Sequence, residues 1–370
     1  MTKRPILAIT SGHCPCHSVS HPNQLYKMTT AKPLFIIFLL SIILCAAIIA
    51  ATGMGFLKIT PLEVIEILWL KLLGQQSSSI NPTFPFVVME VRLPRILTSA
   101  LVGGGLAVAG AVFQAILLNP LADPYTLGIS SGAAFGASLA IILSIFGIMI
   151  PPWLSIPVFA FIGAMATLIG VFSLASTDNR LSSNTLILSG VIIAAILSAG
   201  IGFIKYLADE QVSIIIFWLM GSFVGRTWMD VSTTALVVIP GLVFTLYFAR
   251  DLNIMALGER TANTLGVDSS RVKKTLLVCA SLITAICVSV SGIIGFVGLI
   301  IPHLLRMILG PDNRILLPAC FLGGATLLLG ADTITRAWLP SEIPIGVLTS
   351  LIGGPFFCYI FRKKQLALTS

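Results

Sequence analysis

Long, uninterrupted runs of apolar residues, separated by short polar stretches, occupy most of the chain. Most runs approach the roughly 20 residues that a helix needs to cross the hydrocarbon core of a membrane. Within a run, apolar residues do not alternate with polar ones, as they would in the strands of a membrane β-barrel. The pattern therefore predicts an all-α, polytopic membrane protein, because helices satisfy their own backbone hydrogen bonds in lipid.

About ten membrane segments are predicted from this pattern. They cover residues 34–54, 96–118, 131–150, 157–175, 185–204, 231–249, 275–290, a glycine-punctuated segment that ends near 309, 315–331 and 343–361. Residues 60–73 are amphipathic, and Thr60-Pro61 followed by Glu63 is typical of a helix N-terminus, so we expect an interfacial helix there. A further short apolar stretch covers residues 214–220.

Residues 34–364 are predicted to form one transmembrane domain, flanked by tails of residues 1–33 and 365–370. We expect the N-terminal tail to be disordered and cytoplasmic, and Met28 is an alternative translation start. The tail contains the cluster His13-Cys14-Pro15-Cys16-His17. Because this spacing matches no structural zinc pattern, no metal site is predicted.

Composition supports lipid as the solvent of the fold. The chain is 56% hydrophobic and only 10% charged, with a mean hydropathy of +1.02, whereas an ordinary soluble domain is about 25% charged. The net charge of +8 is attributed to Lys and Arg retained in cytoplasmic loops. It is not taken as a sign of nucleic-acid binding.

One polar stretch, residues 250–274, stands out between two apolar runs. Its charged residues are Arg250, Asp251, Glu259, Arg260, Asp268, Arg271, Lys273 and Lys274. With the N-terminus inside, this stretch and the basic residues 362–364 both fall on the cytoplasmic side, as the positive-inside rule favours. Both termini are therefore predicted to be cytoplasmic, and the stretch is expected to contact a cytoplasmic partner.

Residues with catalytic or energy-coupling chemistry are scarce. The chain has no Gly-Lys dipeptide and hence no phosphate-binding loop of the GxxxxGK[ST] type. It also has no HExxH or GxSxG motif, so we expect a transport subunit and not an enzyme. Ionisable residues near the spans, namely His303, Arg306 and Asp332, lie close to predicted ends, whereas an ion-driven pump is expected to carry more of them.

Arg92, Arg95 and Arg336 fall on the outer side in this topology, against the charge trend. Two interpretations stay open: they anchor lipid headgroups, or they dock an acidic partner. Small residues crowd the segment 96–118, among them Gly103, Gly104 and Gly105. They indicate close helix packing, which small residues permit in lipid.

Several motifs occur in a familiar order. They are Arg92-Leu-Pro-Arg95, Gly103-Gly104 through Gln114, Asn119-Pro-Leu-Ala-Asp123-Pro124, Leu127-Gly-Ile-Ser-Ser-Gly132, Phe217-Trp218 with Gly221-Ser222, Gly295 to His303, Glu342 to Thr349 and Gly353-Gly-Pro-Phe356. Together they resemble the FecCD-type permeases of bacterial ABC importers, which take up ferric siderophores, haem and cobalamin. The resemblance covers residues 58–362.

The resemblance implies a BtuC-like bundle of ten helices that pairs with a second permease subunit, usually an identical copy. Two cytoplasmic ATPase subunits, which carry ATP and Mg, and a periplasmic or lipid-anchored binding protein complete such importers. No cofactor is expected on this chain itself. Membrane lipid is a further expected partner, and no nucleic acid is expected to bind.

The resemblance also implies roles for particular residues. Coupling to the ATPase is implied for Leu257, Gly258, Glu259, Arg260, Thr261, Ala262, Leu265 and Gly266. Docking of the binding protein is implied for Arg92, Arg95 and Arg336. A position along the translocation path is implied for Leu186, Ser189, Ile193, Phe203, Phe217, Ile345 and Thr349.

The predicted function is that of an ABC importer permease in the bacterial inner membrane, which moves a metal chelate by alternating access. A ferric siderophore is the first candidate, because residues 221–228 resemble siderophore permeases more than cobalamin permeases. Cobalamin, haem and, further off, a molybdate-type oxyanion are alternatives. A stand-alone secondary transporter is the alternative from a different class, and an export permease is the third.

Overall fold

The computed structural model describes residues 31–55, 57, 59–74, 81, 83–149, 151, 155–176, 182–337 and 342–369. The regular elements of this part of the chain are helices. In chain order they are α1 (Ala31–Gly53), α2 (Pro61–Leu72), α3 (Thr83–Phe86), α4 (Leu93–Leu117), α5 (Ile129–Ile145), α6 (Ile156–Ala175), α7 (Ser183–Ala208), α8 (Val212–Leu219), α9 (Trp228–Tyr247), α10 (Ala249–Met255), α11 (Glu259–Thr264), α12 (Ser269–Ser291), α13 (Val297–Leu309), α14 (Asn313–Ala337) and α15 (Ile345–Thr369). A π-helical turn, Val87–Arg92, joins α3 to α4. Most of the predicted N-terminal tail, with its Cys and His cluster, lies outside the described residues.

Ten apolar helical segments in the described part of the chain correspond to the ten predicted ones. Seven are long and apolar enough to cross a membrane: α1, α3 with α4, α6, α7 with α8, α9, α12 and α14. Three are shorter, namely α5, α13 and the Ile345–Tyr359 part of α15. The all-α, polytopic fold class is therefore confirmed.

Several helix ends differ from the prediction by a few residues, and three of the differences concern the polar stretch, α5 and α15. Residues 269–274, assigned from the sequence to the polar stretch, form the first turns of α12. The cause is local, because the Asp268 side chain accepts a hydrogen bond from the N–H of Arg271 at 3.0 Å and caps the helix. The segment expected to reach residue 150 ends at Ile145, and α15 continues to Thr369, past the expected boundary at 364.

The amphipathic stretch forms α2, with the capping chemistry that its sequence indicates. The N–H and hydroxyl of Thr60 donate to Glu63 Oε2 at 2.7 and 2.8 Å, and the N–H of Glu63 donates back to Thr60 Oγ1 at 3.3 Å. This reciprocal pair is a capping box. The hydrogen bonds from Thr60, first from its backbone, lower the pKa of the Glu63 carboxyl.

The centre of the bundle is α4, whose residues are buried along nearly its whole length. It packs against α9, α12, α13 and α14. Two glycine pairs mark the closest approaches: Gly103 faces Gly324 of α14, and Gly110 faces Gly298 of α13. The predicted close packing of this small-residue segment is therefore present.

The Gly110–Gly298 crossing predicts a specific sensitivity. A methyl group added at Gly110 would overlap the backbone of Gly298, so the helices would have to separate. We expect Gly110→Ala to cost about 1–3 kcal/mol of stability, as overpacking of a close-packed core does. In Gly330→Ala, by contrast, the new methyl group has no described atom within 4 Å apart from its own stretch of helix. That matched variant should melt at or slightly above the wild-type temperature in detergent, and equal melting of both variants would contradict a backbone contact at Gly110.

The turn between α4 and α5 is fixed by Asp123. Its carboxylate accepts hydrogen bonds from the N–H groups of Tyr125 and Thr126 at 3.1 and 2.9 Å. Burial raises the pKa of Asp123 to about 6, although these amide donors favour the ionised form. The hydroxyl of Tyr125 donates to the carbonyl of Ile294, in the break between α12 and α13. The turn thereby positions the start of α13.

Candidate coupling surface and arginine cluster

Two groups of predicted site residues lie at opposite ends of α14. Its first residue, Asn313, contacts Asn253 of α10, and Arg336 lies in its last turn. At 1.5 Å per residue, such a helix is about 37 Å long. We call residues 249–268 the coupling surface, and Arg92, Arg95 and Arg336 with their carboxylate partners the arginine cluster.

The coupling surface is held to the bundle by a small apolar face. Ala249, Leu252 and Met255, spaced three residues apart on α10, are buried, and so is Ala262 of α11. Such spacing places side chains along one face of a helix. These anchors leave Arg250 of α10 and every residue of α11 except Ala262 exposed.

Two glycines with positive φ bracket α11 and define its ends. Gly258 precedes it with φ 102°, and Gly266 follows it with φ 85°. The N–H of Val267 donates to the carbonyl of Ala262 at 3.0 Å, and that of Gly266 to Asn263 at 3.1 Å. This is a Schellman motif, which ends the helix in a fixed geometry. The chain therefore presents α11 as a defined projection.

Exposed leucines flank α11. Leu257 is 65% exposed and Leu265 is 60% exposed. The other predicted coupling residues Glu259, Arg260, Thr261 and Gly266 are exposed, Gly258 is half-buried and Ala262 is the buried anchor. The sequence prediction thus selected residues that the fold brings together on one projection. Apolar side chains framed by charged ones are typical of a protein contact surface.

Two polar connections tie the coupling surface to neighbouring helices. Asn253 Nδ2 donates to Asp312 Oδ1 at 2.7 Å, while Asn253 Oδ1 accepts from the N–H and Nδ2 of Asn313 at 2.9 and 2.8 Å. On the other side, Lys273 Nζ lies 3.1 Å from Glu259 Oε1. Asn253 was not singled out from the sequence, because its partner Asn313 lies 60 positions away. Lys273 was noted only as one charge of the polar stretch, and its contact with Glu259 was not predicted.

In the arginine cluster, Arg92 and Arg336 bind the C-terminal end of α1. The two terminal nitrogens of Arg92 donate to the carbonyls of Thr52, Gly53 and Leu57 at 2.5–3.1 Å. Those of Arg336 donate to the carbonyls of Met54 and Ala51 at 2.9 and 2.8 Å. Positive side chains at a helix C-terminus satisfy carbonyls that have no partner within the helix.

The third arginine, Arg95, forms a two-carboxylate salt bridge. Its guanidinium binds Asp332, which is 1% exposed, at 2.9 Å and Glu342 at 3.1 Å. The bond to Asp332 is bidentate, through Nε and Nη2, the strong geometry for this pair. All three predicted docking arginines are therefore close together, but each one also has partners within the chain.

The residues predicted for the translocation path fall into two groups. Phe203 and Phe217 are exposed, and Ile193 is half-buried. The other four, Leu186, Ser189, Ile345 and Thr349, are buried within the single chain. The more exposed face of α7 carries Leu188, Val191, Ile192, Ile196 and Phe203.

The described residues contain no group of three or more His, Cys, Asp or Glu side chains placed to hold a metal ion. The chemistry assembled at the two ends of the bundle is that of ion pairs, capped helix ends and exposed apolar side chains. Such groups suit binding between proteins.

Comparison with known proteins fits this arrangement. The model of the FecCD transport family matches residues 38–363. The chain belongs to the FecCD transport family. The matched range contains both the coupling surface and the arginine cluster. The resemblance predicted from the motifs is thus confirmed, and the chain is a multi-span permease of the ABC transporter type.

Relatives of this FecCD permease carry names from the same functional class. The cobalamin import system permease protein BtuC of Halobacterium salinarum is 42% identical over 77% of this chain and 75% of its own length. The hemin transport system permease protein HmuU of Yersinia pestis is 36% identical over 90% of this chain and 97% of its own length. A solved structure described as an inward-facing metal-chelate-type ABC transporter superposes with a TM-score of 0.77 at 34% identity, over 89% of this chain and 99% of the other.

Proposed function

We propose that this FecCD permease is the membrane subunit of an ATP-driven importer that carries a metal chelate, with a ferric siderophore as the first candidate. The observation that carries the proposal is the coupling surface. A chain without a phosphate-binding loop presents a rigid, exposed helix that is flanked by Leu257 and Leu265. In the proposal, this projection is the binding site for a separate subunit that binds and hydrolyses ATP.

Two ATPase subunits are proposed to bind the coupling surfaces of two permease copies. The proposed topology places these surfaces and both termini in the cytoplasm of a bacterial inner membrane. Small residues on the exposed side of α7, namely Ala195, Ser198, Ala199 and Gly202, support a close contact with a second copy. The chelate is proposed to pass between the copies, along the faces of α7, α8 and α15, by alternating access.

A binding protein is proposed to deliver the chelate at the arginine cluster. Arg92 and Arg336 are engaged by backbone carbonyls of α1, whereas Glu342, one of the two partners of Arg95, is half-exposed at the surface. An acidic side chain of a binding protein would compete with Glu342 for Arg95. In this proposal Arg95 contacts the binding protein directly, and Arg92 and Arg336 hold the end of α1 in position beside it.

The substrate class is supported by the names of relatives that carry cobalamin and hemin. A metal chelate is the chemistry that these cargoes share. Cobalamin and haem stay as alternatives to a ferric siderophore, and a molybdate-type oxyanion ranks below them.

Reconstitution tests the proposal. The permease, its ATPase and its binding protein would be placed in liposomes and offered ferric siderophores, cobalamin, haem and molybdate in turn. We expect uptake of one chelate that requires both ATP and the binding protein. Uptake driven by an ion gradient without ATP would favour a secondary transporter, and ATP-dependent efflux would favour an export permease; either result would reject the import function.

A further inference from the structure

Lys273 is a buried cation at the start of a membrane-length helix. Its side chain is 4% exposed, although its neighbour in sequence, Lys274, is only half-buried. Removal of an ammonium group from water costs several kcal/mol unless the group is paired. An apolar side chain would fill this position in α12 without that cost, so the charge calls for an explanation beyond packing.

The partners of Lys273 come from two other helices. Its Nζ lies 3.1 Å from Oε1 of Glu259, the first residue of α11, and 3.4 Å from Oγ of Ser183, the first residue of α7. Glu259 belongs to the exposed projection, and its side chain is 59% exposed. Three helices that are separate in sequence therefore meet at one ammonium group.

The two helices that Lys273 connects, α11 and α7, differ in how they are fixed to the rest of the chain. On one side, α11 is fixed in shape by its Schellman motif and is anchored by Ala262. On the other, α7 is a 26-residue helix of which few residues are buried. It packs mainly on α5 and α6, with no more than a weak direct contact to α11. Lys273 thus provides a bridge between α11 and α7.

We propose that Lys273 is a positioning residue that transmits movement of α11 to the N-terminal end of α7. The inference rests on the proposed function, in which an ATPase displaces α11 and α7 borders the translocation path. When α11 moves, the Glu259–Lys273 ion pair carries the ammonium group with it. The hydrogen bond to Ser183 then draws the first turn of α7 in the same direction.

Hydrogen exchange on the permease alone tests the bridge without any transport. In Lys273→Gln, the amides of the first turns of α7 should exchange about tenfold faster than in the wild type, because a charge-assisted contact of roughly that strength is lost. The matched variant Lys274→Gln leaves the Glu259 contact in place and should exchange like the wild type. Unchanged exchange in α7 for Lys273→Gln would overturn the proposal.

Transport by the reconstituted complex tests the consequence. In Lys273→Gln, substrate uptake per ATP hydrolysed should fall about tenfold, while ATPase binding is kept, because Leu257 and Leu265 are untouched. Ser183→Ala, which keeps the Glu259–Lys273 ion pair, should lower the ratio in the same direction, and the double variant should be no worse than Lys273→Gln alone. Lys273→Arg should restore most of the coupling, since it keeps the positive charge.

Two results would overturn the proposal at this stage. One is a normal ratio of uptake to ATP in Lys273→Gln, and the other is an equal loss in Lys274→Gln. Should Lys273→Gln fold poorly, Ser183→Ala removes the hydrogen bond to α7 while it keeps the Glu259–Lys273 ion pair, and it gives the same readout. A wild-type complex that shows no ATP-dependent uptake would instead reject the proposed function, and the exchange experiment would still decide on the bridge.

Discussion

Replacement of both Leu257 and Leu265 with aspartate should abolish the binding of an ATPase subunit while the permease stays folded. The two side chains are mostly exposed, so their loss removes little packing within the chain. Burial of a leucine in a partner contributes about 2 kcal/mol, so loss of the pair should weaken binding about a thousandfold, before the cost of burying two carboxylates is added. The affinity would be measured between purified ATPase and permease in lipid nanodiscs.

A matched variant makes this experiment specific. Met149 is 97% exposed in the segment after α5, away from the coupling surface. Met149→Asp should bind ATPase with wild-type affinity. All three proteins should have the same melting temperature in detergent. Wild-type affinity in the Leu257→Asp/Leu265→Asp variant would remove the coupling surface as the ATPase site.

Arg95→Met should be the most destabilising change in the arginine cluster. It leaves Asp332, which is 1% exposed, without its bidentate partner in a low-dielectric environment. Removal of one member of a buried ion pair costs about 3–5 kcal/mol, because the remaining charge is uncompensated. We expect a large fall in the melting temperature in detergent and in the yield of folded protein.

The same pair offers an internal rescue. Arg95→Met combined with Asp332→Leu removes both charges and should recover much of the lost stability, as apolar replacement of a buried pair often does. The control is Arg271→Met, because the ion pair of Arg271 with Asp268 is long, at 3.9 Å, and Arg271 is 84% exposed. Loss of this surface pair should change stability by less than about 1 kcal/mol. An Arg95→Met protein that melts like the Arg271 variant would contradict a structural role for the pair.

The succession of apolar runs was sufficient to predict the helices, because a run of about 20 apolar residues has one stable conformation in lipid. The exposure of residues 257–266, for which coupling is proposed, was also predictable, since the polar stretch between two spans is visible in the sequence. The C-terminal boundary of this stretch was not predictable. Asp268 caps α12, so residues 269–274 belong to that helix, and Lys273, which looks like a loop residue in the sequence, is buried.

The presence of an apolar helix was easier to predict than which of its residues are buried. Leu186 and Ser189 were assigned to the translocation path, but both are buried against neighbouring helices of the same chain. In a helix that is apolar on every side, periodicity does not distinguish the side that faces protein from the side that faces lipid. The partners of Arg92 were hidden for a related reason, because they are backbone carbonyls and leave no mark in the sequence.

The bonds from Arg336 to the end of α1 have a consequence for biosynthesis. α1 is synthesised before the other described helices, yet the carbonyl of Ala51 in α1 and that of Met54 just after it receive their donors from Arg336, 285 and 282 positions later in the chain. These bonds cannot form until α14 has been inserted, so the C-terminal end of α1 lacks its hydrogen bonds to Arg336 until then. The end of α1 therefore acquires its full set of hydrogen bonds only after α14 has been inserted, so the order of synthesis is not the order in which the helix ends are fixed.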